Sequence, residues 1–511
     1  MRKEGAKLEL DNDSTSIKEM LEAVRLAKEA QAKYQEFSQD QVDRIVKHVA
    51  EAAYQASEKL ARIAVEETGM GVTEHKKIKN ELGSMGVYQS IKDEKTVGII
   101  SENKKEKITE IAYPFGVISG IIPTTNPTST AFFKTLISLK SQNAIVVSPH
   151  PSAVKCTVEA LQVCHDAAIE AGAPEGIIGW ISRPTMAATT ELMHHQDIQL
   201  ILATGGGGLV RAAYSSGKPA YGVGPGNVPV YIDRSANVSK AVKLIVDSKT
   251  FDNGTICATE QAIVVHKNVK EMTIRELKNN GAYFLSASEK ALLENVISPI
   301  RGKLNPAIVG KSAERIAAMS GLKLPAGTRI LIAEEDSIGK EIPFSIEKLS
   351  PIFALYTAAD LEEAKKICQE LLNIGGRGHS LALHTNDDDV TRMFGLEMPV
   401  SRVLVNTLAS IGAAGATTGL TASLTLGCGS YGGNITADNI TARHLINIKR
   451  IAYGIKDVEI PKPSQSIEKR VSNDEIVEQV IKKATGNQMK NIDTEMITKL
   501  VKSVIEQYQK S

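Results

Sequence analysis

The sequence predicts an α/β protein built on a doubly wound parallel sheet. Residues 115–233 contain five apolar, strand-like runs that alternate with four helix-length segments. Strands of this kind are buried on both faces, and the helices between them make consecutive strands parallel. The alternation restarts after Asp233 and continues to about Ala382, which predicts a second sheet-bearing domain. A chain of 511 residues is long enough for two or more domains.

The composition excludes several classes of protein. Sixty basic and 59 acidic residues leave a net charge of +1, which argues against binding of nucleic acid or membrane surfaces through bulk charge. The five cysteines are scattered without a CxxC pair, so we expect no disulfide framework, no metal site and a reducing compartment. No apolar run reaches the ~18 residues of a membrane helix, and the N-terminus has no apolar signal segment. We therefore expect a soluble, cytoplasmic protein.

The chain begins with a polar arm, residues 1–14, that we expect to be disordered. From Ser16 to about Glu67 apolar residues recur at helical spacing, which predicts a pair of amphipathic helices. Two strands, 96–100 and 108–113, then flank a polar turn. This hairpin, residues 96–113, either serves oligomerisation or lies at an edge of the core.

The first sheet follows the hairpin. Its predicted strands are 117–122, 144–148, 177–181, 199–203 and 228–233. The helices between them are 128–139, 153–170, 185–194 and 207–215. Ligands of such a sheet bind at the carboxyl ends of its strands.

Three of these strand ends carry residues suited to a ligand. The first ends in Pro123-Thr124-Thr125-Asn126-Pro127, which places an amide side chain at a strand–helix junction. The second ends in Ser148-Pro149-His150-Pro151. The fourth ends in Ala203-Thr204-Gly205-Gly206-Gly207-Gly208, whose glycines let a phosphate or a planar ring approach backbone N–H groups. A tight turn without a ligand explains these glycines equally well.

The second domain contains residues 251–261, in which a loop of small residues leads to Cys257 just before a run of β-formers. A cysteine nucleophile needs a lowered pKa, access to substrate and N–H groups near the oxyanion that it creates. Asn253 and Gly254 let the backbone approach a ligand closely at this point. A single cysteine is more often an inert small apolar residue, so the stretch alone does not establish catalysis.

Two later stretches are ambiguous. His379 lies in a glycine-flanked turn at 376–380 and is either a base or a structural hydrogen-bonding residue, with the structural role favoured. Residues 412–440 are rich in Gly, Ala, Thr and Ser, which indicates close backbone packing around a site or a subunit contact. Cys428, in this segment, is expected to be buried and inert.

The composition changes from about Lys456. Pro461 and Pro463 lie in a polar linker, and two amphipathic helices follow, near 474–484 and 494–508. The second helix has one apolar stripe, formed by Ile497, Leu500, Val501, Val504, Ile505 and Tyr508. An isolated helix of this length is marginal in water, so the stripe should have a partner.

Six segments together resemble a known family. From about Ser16 to Ile455 the chain is similar to the aldehyde dehydrogenase superfamily, specifically its coenzyme A-acylating branch. That branch includes enzymes for acetaldehyde, propionaldehyde, succinate semialdehyde and sulfoacetaldehyde. The matching segments are 124–127, 148–151, 203–206, 220–227, the Cys257 loop and 424–429.

The resemblance implies a domain organisation and an assembly. Residues 15–235 would form an NAD-binding domain with the hairpin 96–113 inserted for oligomerisation. Residues 236–430 would form a catalytic domain bearing Cys257, and residues 431–455 a further oligomerisation segment. A homodimer or tetramer is implied, and residues 456–511 would remain as a linker with amphipathic targeting helices.

The resemblance also implies roles for individual residues. Cys257 corresponds to the thiolate that attacks the aldehyde to form a thiohemiacetal, and Asn126 and the Cys257 N–H would stabilise its oxyanion. Hydride would pass to NAD, and the thioester left on Cys257 would be transferred to coenzyme A. The residues implied in cofactor binding are Thr124, Ser148, His150, Pro151, Thr204, Gly205, Gly206 and Glu347.

Two departures from hydrolytic relatives are informative. Those enzymes carry a glutamate that activates water, and Val223 stands at about that position here. A general base typically accelerates such a step by 10²–10⁴-fold, or about 3–5 kcal/mol of barrier. Without one, water should hydrolyse the thioester slowly, and the thiol of coenzyme A can react with it instead. Ser148 stands where hydrolytic members usually have a lysine that binds the adenine ribose, which leaves the choice between NAD and NADP open.

Several alternatives remain open at this point. The acyl acceptor is either coenzyme A or another group such as phosphate, and a non-catalytic scaffold is a third reading. The aldehyde is either short and apolar, such as acetaldehyde or propionaldehyde, or anionic, such as sulfoacetaldehyde or succinate semialdehyde. The tail resembles encapsulation peptides of bacterial microcompartments, which implies a shell protein as partner; docking onto its own subunit is the alternative.

Overall fold

The computed structural model describes residues 2–461, 472–485 and 493–508. These residues belong to two compact units, Met1–Ala452 and Tyr453–Ser511. The predicted linker falls partly on residues 462–471, which lie outside the described residues, as do 486–492 and 509–511. Every helix in the described part of the chain is too short or too polar to span a bilayer.

The first unit begins with five helices. They are α1 (Arg2–Tyr34), α2 (Gln39–Gln55), α3 (Ser57–Thr68), α4 (Thr73–Glu81) and α5 (Val87–Ile91). A π-helical turn, Leu82–Gly86, joins α4 to α5. Burial of Val42, Ile45, Val46 and Val49 of α2 confirms the helical spacing of apolar residues predicted in this region. The predicted pair of helices is three, α1 to α3.

The start of the chain differs from the prediction. Helix α1 begins at Arg2, so the predicted disordered arm, residues 1–14, is helical in its described part. The low apolar content of this segment argues against its burial in a core. It does not exclude a solvent-exposed helix, because the backbone hydrogen bonds of a helix form within the helix itself. The Thr15 hydroxyl donates to the carbonyl of Asp11 one turn earlier, at 2.9 Å.

The predicted hairpin belongs to a small antiparallel sheet. Its strands β1 (Gly98–Asn103) and β2 (Ile108–Pro114) pair with Gly98 opposite Ala112 and Asn103 opposite Ile108. A third strand, β15 (Ile446–Ala452), pairs antiparallel with β2. The hairpin itself is therefore confirmed, while its role in oligomerisation stays a prediction.

A five-stranded parallel sheet follows, in the order β5-β4-β3-β6-β7. Its strands are β3 (Val117–Ile121), β4 (Ala144–Ser148), β5 (Ile178–Trp180), β6 (Ile198–Thr204) and β7 (Ala220–Val223). The connecting helices are α6 (Pro127–Lys140), α7 (Val154–Glu170), α8 (Met186–His194) and α9 (Gly207–Ser215). The first four predicted strands and all four predicted helices are confirmed, and β7 is an additional strand.

Helix α6 is buried along its whole length and carries an unusual lysine. The amine of Lys134 donates to the carbonyl oxygens of Ile121, at 2.6 Å, and Leu202, at 2.7 Å. Burial holds the pKa of Lys134 well below its ordinary value. A neutral amine has two N–H groups, which match the two carbonyls, so Lys134 joins the ends of β3 and β6.

The third sheet is parallel and has seven strands, in the order β10-β11-β12-β9-β8-β13-β14. They are β8 (Val228–Ile232), β9 (Glu260–His266), β10 (Ala282–Phe284), β11 (Ile330–Glu334), β12 (Ile352–Ala358), β13 (Gly378–His384) and β14 (Val400–Val405). The helices around it are α10 (Val238–Thr250), α11 (Lys270–Asn279), α12 (Ala287–Ile297), α13 (Ala313–Met319), α14 (Leu361–Gly375), α15 (Asp388–Glu397) and α16 (Ala409–Gly412). The second sheet predicted after Asp233 is confirmed.

One strand lies in a different sheet from the predicted one. The run 228–233 was expected to end the first parallel sheet, but β8 lies between β9 and β13 of the seven-stranded sheet. A doubly buried parallel strand has the same apolar composition in either sheet, so its partners cannot be identified from its own residues. The first parallel sheet therefore ends at Val223.

The second unit contains the two helices predicted for the tail, α17 (Asn473–Thr485) and α18 (Thr494–Tyr508). Ser472 and Glu475 form a reciprocal cap of α17, with hydrogen bonds of 3.0 and 3.2 Å. Val477 of α17 is buried, and Lys502 of α18 forms an ion pair with Asp474 at 2.8 Å. Part of the predicted stripe, Leu500 and Val504, is exposed.

Candidate active site

The Cys257 loop is shaped by three consecutive residues with left-handed backbone conformation. Asp252, Asn253 and Gly254 have φ of 49°, 52° and 75°. Asp and Asn tolerate this conformation better than most residues with a Cβ, and glycine adopts it freely. These residues form a tight turn, Phe251–Gly254, after helix α10, and Cys257 lies between this turn and strand β9.

Cys257 contacts a histidine from another strand. The Nε2 atom of His379, on β13, lies 3.2 Å from the Cys257 Sγ. Cys257 is half-buried, whereas the other four cysteines, Cys428 included, are buried. The structural role favoured for His379 from the sequence does not account for this contact, which is the geometry of a base next to a nucleophile.

Both partners are uncharged at neutral pH. Burial, and next the nearby Glu347 carboxylate, raise the pKa of Cys257 to about 12. Burial, and next the charge of Arg402, lower the pKa of His379 to about 3. The expected lowered pKa of the nucleophile is therefore not found; burial disfavours the thiolate, so the proton must move as the thiol attacks.

His379 is held in place from its backbone side. Arg402, on β14, donates from Nη1 to the carbonyl of His379 at 3.2 Å. Its Nε donates to Asn439 Oδ1 at 2.7 Å, and its Nη2 donates to the carbonyls of Gly427, at 2.8 Å, and Ala437, at 3.0 Å. Because the guanidinium is fixed by these acceptors, the strand that carries the imidazole is fixed as well.

Three glycines allow backbone segments to pack closely against one another beside the Cys257–His379 pair. A Cβ at Gly226 would lie 1.9 Å from the carbonyl oxygen of Cys257, and one at Gly376 would lie 2.0 Å from that of Gly226. A Cβ at Gly378 would lie 1.8 Å from the carbonyl oxygen of Cys428. These glycines are required because a backbone oxygen occupies the space of a side chain. Two of the six motif segments, 220–227 and 424–429, therefore meet at this site.

Glu347 joins the same cluster. Its Oε1 accepts the N–H of Gly226 at 2.7 Å, and the carboxylate is half-buried. Burial raises the pKa of Glu347, although the N–H groups of Gly226 and Asn227 oppose the shift. Val223, which the resemblance places at about the position of the hydrolytic glutamate, is buried at the end of β7.

Asn126 is connected to the Cys257 loop by a buried lysine. It precedes helix α6, and its side chain does not cap the helix. Its Oδ1 accepts a hydrogen bond from Lys79 Nζ at 2.5 Å, and its Nδ2 donates to Thr125 Oγ1 at 3.1 Å. Lys79 Nζ also donates to Thr255 Oγ1, two residues before Cys257, at 3.2 Å.

The other residues implied in cofactor binding lie at the carboxyl ends of adjacent strands. Thr124 follows β3, Ser148 ends β4 and Thr204 ends β6, and these strands are neighbours. The Ser148 hydroxyl forms a hydrogen bond with Thr189 Oγ1 at 2.8 Å. His150 Nδ1 accepts a hydrogen bond from the Ser152 N–H at 3.1 Å. Both side chains are thus engaged within the protein, and Pro151 begins a short 3₁₀ turn.

The end of β6 fits a nicotinamide cofactor. Thr204 Oγ1 is buried and has no hydrogen-bond partner among the described residues. Gly206 precedes the first turn of α9, and a Cβ added there would meet nothing within 4 Å; at Gly205 it would meet only the flexible Leu209 side chain. An orphaned hydroxyl beside an open helix N-terminus suits a ligand that carries hydrogen-bonding groups and phosphates.

Sequence reasoning missed the charged residues behind Asn126. Lys76 and Lys79 are both buried and both contact Asp252 Oδ2. Their i, i+3 spacing in a helix rich in charge is typical of a solvated face, and no sequence signal distinguishes it from a buried pair. Asp252 lies in the stretch around Cys257, but its partners lie more than 170 residues away along the chain.

Comparisons with known proteins give several similar chains. The model of the Aldehyde dehydrogenase family matches residues 12–300. An acetylating aldehyde dehydrogenase from Geobacillus thermoglucosidasius is 52% identical, with a TM-score of 0.86 over 88% of this chain and 99% of that chain. The bifunctional aldehyde-alcohol dehydrogenase AdhE of Escherichia coli K12 is 46% identical over 89% of this chain. This chain spans about half the length of that relative, 51%.

Two solved propionaldehyde dehydrogenases are more distant. One, from the fucose utilisation bacterial microcompartment of Clostridium phytofermentans, is 31% identical, with a TM-score of 0.76 over 85% of this chain and 97% of that chain. The other, from Rhodopseudomonas palustris, is 29% identical, with a TM-score of 0.76 and the same two coverages. It was solved with bound CoA and an acylated cysteine.

Proposed function

The chain belongs to the aldehyde dehydrogenase family, and we propose that it oxidises a short-chain aldehyde with NAD and transfers the acyl group to coenzyme A. The observation that carries the proposal is the 3.2 Å contact between His379 Nε2 and Cys257 Sγ beside a loop built to present the thiol. The similarity to an acetylating enzyme supports coenzyme A as the acceptor. The balanced reaction consumes aldehyde, NAD⁺ and coenzyme A, and gives acyl-coenzyme A, NADH and a proton.

The first step is addition of Cys257 to the aldehyde. As Sγ bonds to the carbonyl carbon, the thiol proton passes to His379 Nε2, because a neutral imidazole is the base within reach. The carbonyl oxygen becomes an oxyanion, for which the Asn126 amide and the Cys257 N–H are the proposed donors. Thr204, Gly205, Gly206 and Thr124 would hold NAD, which would supply the hydride acceptor needed to oxidise the thiohemiacetal to a thioester.

The second step is transfer of the acyl group. Val223 provides no carboxylate at the position of the hydrolytic base, which favours a thiol over water as the attacking group. The thiol of coenzyme A attacks the thioester carbon, the bond from that carbon to Cys257 Sγ breaks, and the coenzyme A thiol proton returns Cys257 to its thiol form. Ser148, His150, Pro151 and Glu347 complete the proposed cofactor site.

The proposal is tested by NADH absorbance with acetaldehyde and NAD, with and without coenzyme A. We expect coenzyme A-dependent NADH formation that is abolished by Cys257→Ala and largely retained by Cys428→Ala, which removes a buried thiol outside the proposed chemistry. Signal that appears with phosphate instead of coenzyme A would identify a phosphate acceptor. Absence of signal with either acceptor would indicate a scaffold.

The aldehyde is proposed to be acetaldehyde or propionaldehyde. One methylene changes the free-energy difference between two substrates in a pocket by only ~1–3 kcal/mol, so acetaldehyde and propionaldehyde suit the same kind of pocket. An anionic aldehyde, sulfoacetaldehyde or succinate semialdehyde, is the second candidate, because relatives that act on these compounds are 39% and 37% identical. A substrate panel of the four aldehydes, compared by kcat/KM, decides between the two classes.

We further propose that the protein works in the cytoplasm, inside a bacterial microcompartment, as a homodimer or tetramer. The exposed apolar residues Leu500 and Val504 of α18 support binding of the tail to a shell protein or to other tails. The microcompartment relative from Clostridium phytofermentans supports the same context. The sheet of β1, β2 and β15, which exposes Ile99, Ile448 and Ile451, supports its use in oligomerisation.

A further inference from the structure

A buried cluster of charges lies between Asn126 and the Cys257 loop. Lys76 and Lys79 of α4 and Asp252 of the loop are each no more than 2% exposed. Lys76 Nζ lies 3.0 Å from Asp252 Oδ2, and Lys79 Nζ contacts the same oxygen. Ionisable side chains are seldom buried to this extent unless they are paired, and here two lysines share a single carboxylate.

The two lysines share two acceptors and differ in two contacts, since only Lys79 also reaches Asn126 Oδ1 and Thr255 Oγ1. Both reach Asp252 and the carbonyl of Thr125, at 3.0 Å for Lys76 and 3.5 Å for Lys79. Only Lys79 donates to the Asn126 side chain, through a 2.5 Å hydrogen bond to Oδ1. Burial lowers the pKa of Lys79 to about 7, while the Asp252 charge favours the protonated amine. In that form Lys79 donates and cannot accept, so the oxygen of the Asn126 amide faces Lys79 and its NH₂ group faces away.

Asp252 holds Lys79 in position. Its Oδ1 accepts the Val72 N–H at 2.8 Å, and its Oδ2 accepts the Thr255 hydroxyl at 2.6 Å. Burial alone would raise the pKa of Asp252, but Lys79 and Lys76 hold it below its ordinary value, so the carboxylate is charged at neutral pH. The anion is thus fixed to the loop that carries Cys257, and it fixes the lysine that bonds to Asn126.

We propose that Lys79 is a positioning residue, which holds the Asn126 amide with its NH₂ group toward the oxyanion formed at Cys257. This role rests on the proposed function, since it requires an oxyanion beside Cys257. An unconstrained amide can turn its oxygen toward the oxyanion, which repels it, so fixing the orientation preserves the stabilisation that an oxyanion donor provides. Lys76 shares the burial and the carboxylate but lacks this role.

The test uses p-nitrophenyl acetate, whose acyl transfer to Cys257 passes through a tetrahedral oxyanion. Sγ bonds to the ester carbon, the thiol proton is released, the bond to p-nitrophenolate breaks, and acetyl-Cys257 remains. The burst of p-nitrophenolate is compared with the rate of Cys257 alkylation by iodoacetamide, which forms no oxyanion. The ratio of the two rates isolates the oxyanion step from any change in thiol ionisation.

We expect Lys79→Met and Asn126→Ala each to lower this ratio at least about tenfold, since losing one oxyanion donor typically costs 10²–10³-fold. The double variant should be within about threefold of Asn126→Ala, because both changes act through one amide. Lys76→Met, the matched control, should stay within about threefold of wild type. Each single lysine variant leaves one lysine paired with Asp252, and Lys79→Gln repeats the measurement if Lys79→Met is not recovered folded.

Three outcomes would overturn the role of Lys79. They are an unchanged ratio for Lys79→Met, effects of Lys79→Met and Asn126→Ala that multiply in the double variant, and an equal loss for Lys76→Met. The burst needs no aldehyde, NAD or coenzyme A. Absence of coenzyme A-dependent NADH formation by the wild type would therefore count against the proposed function, while the comparison of bursts still decides the role of Lys79.

Discussion

At the scale of single residues, the thiol of Cys257, the proposed nucleophile, lies beside an uncharged imidazole. Burial raises the pKa of Cys257 to about 12, and only the thiolate is alkylated. We therefore expect the rate of Cys257 alkylation by iodoacetamide to rise about tenfold per pH unit between pH 7 and pH 10. Mass spectrometry of the Cys257 peptide measures the rate, with Cys257→Ala as blank. A rate of Cys257 alkylation that has become independent of pH before pH 8 is reached would show that His379 stabilises the thiolate.

The second residue-scale prediction concerns Val223. With saturating coenzyme A the wild type should form acyl-coenzyme A with little free acid, because no carboxylate stands at the end of β7. Val223→Glu should raise the ratio of carboxylate to acyl-coenzyme A, since a general base contributes about 10²–10⁴-fold when correctly placed.

Val223→Gln is the control for Val223→Glu, because the glutamine side chain has nearly the same volume as glutamate but no carboxylate. Product analysis by liquid chromatography measures both acyl products. If the wild type releases mainly carboxylate, another group activates water, and the half-buried Glu347 would be the first candidate.

Single residues were predictable where their local composition is unusual. The small-residue loop made Cys257 a candidate, and the strand-end amide made Asn126 one; their catalytic roles stay predictions. The partner of Cys257 was not identified, because 122 residues of chain separate Cys257 and His379 and only the sheet brings them together. The same holds for Lys79, whose burial depends on the packing of α4 against the Cys257 loop rather than on its neighbours in sequence.

At the scale of secondary structure elements, Lys134 couples helix α6 to two strands. Its pKa in the folded protein is lowered by burial, so the folded state binds fewer protons than the unfolded state below pH 10.5, down to the folded pKa. Stability should therefore rise with pH in this window, by up to about 1.4 kcal/mol per pH unit for one such group.

We expect the difference in thermal unfolding midpoint between wild type and Lys134→Met to shift in favour of the wild type from pH 7 to pH 10. Differential scanning fluorimetry at fixed scan rate measures the midpoints. Lys140→Met, on the same helix, is the control, because its charge is compensated by Asp43 at 2.6 Å. A constant difference between wild type and Lys134→Met would contradict a neutral Lys134.

Elements with a clear period or a clear apolar run were predicted close to their observed limits. The strand β4 was predicted with its observed bounds, and α9 likewise. The assignment of β8 failed because partner choice between two parallel sheets depends on the whole fold. The short strand β7 was not predicted as a strand, and its residues were noted only as part of the motif segment 220–227. Four residues are too few to show a reliable alternation.

At the scale of the whole molecule, the proposed chemistry is confined to one compact unit. Every residue proposed for the site lies within Met1–Ala452. Truncation after Ile455 should therefore leave kcat within about twofold of the full chain, and it should abolish co-sedimentation with shell proteins. Lost activity in a folded truncated protein, or unchanged sedimentation, would count against the proposed division of roles.

A second variant separates the apolar residues of the tail from its length. Leu500→Glu with Val504→Glu in the full chain changes two exposed positions of α18. It should reduce co-sedimentation as far as truncation does, because apolar burial is the expected driving force. Lys499→Glu, which changes an exposed charge on the same helix, should leave co-sedimentation unchanged.

The glycines at 226, 376 and 378 have a genetic consequence. Each places its hydrogen where a Cβ would lie 1.8–2.0 Å from a backbone oxygen. Every missense change from a glycine codon introduces a Cβ, so no missense change at these three codons is conservative. Selection should therefore remove new alleles at these codons as strictly as at the codon for Cys257, although the glycines contribute no reactive group.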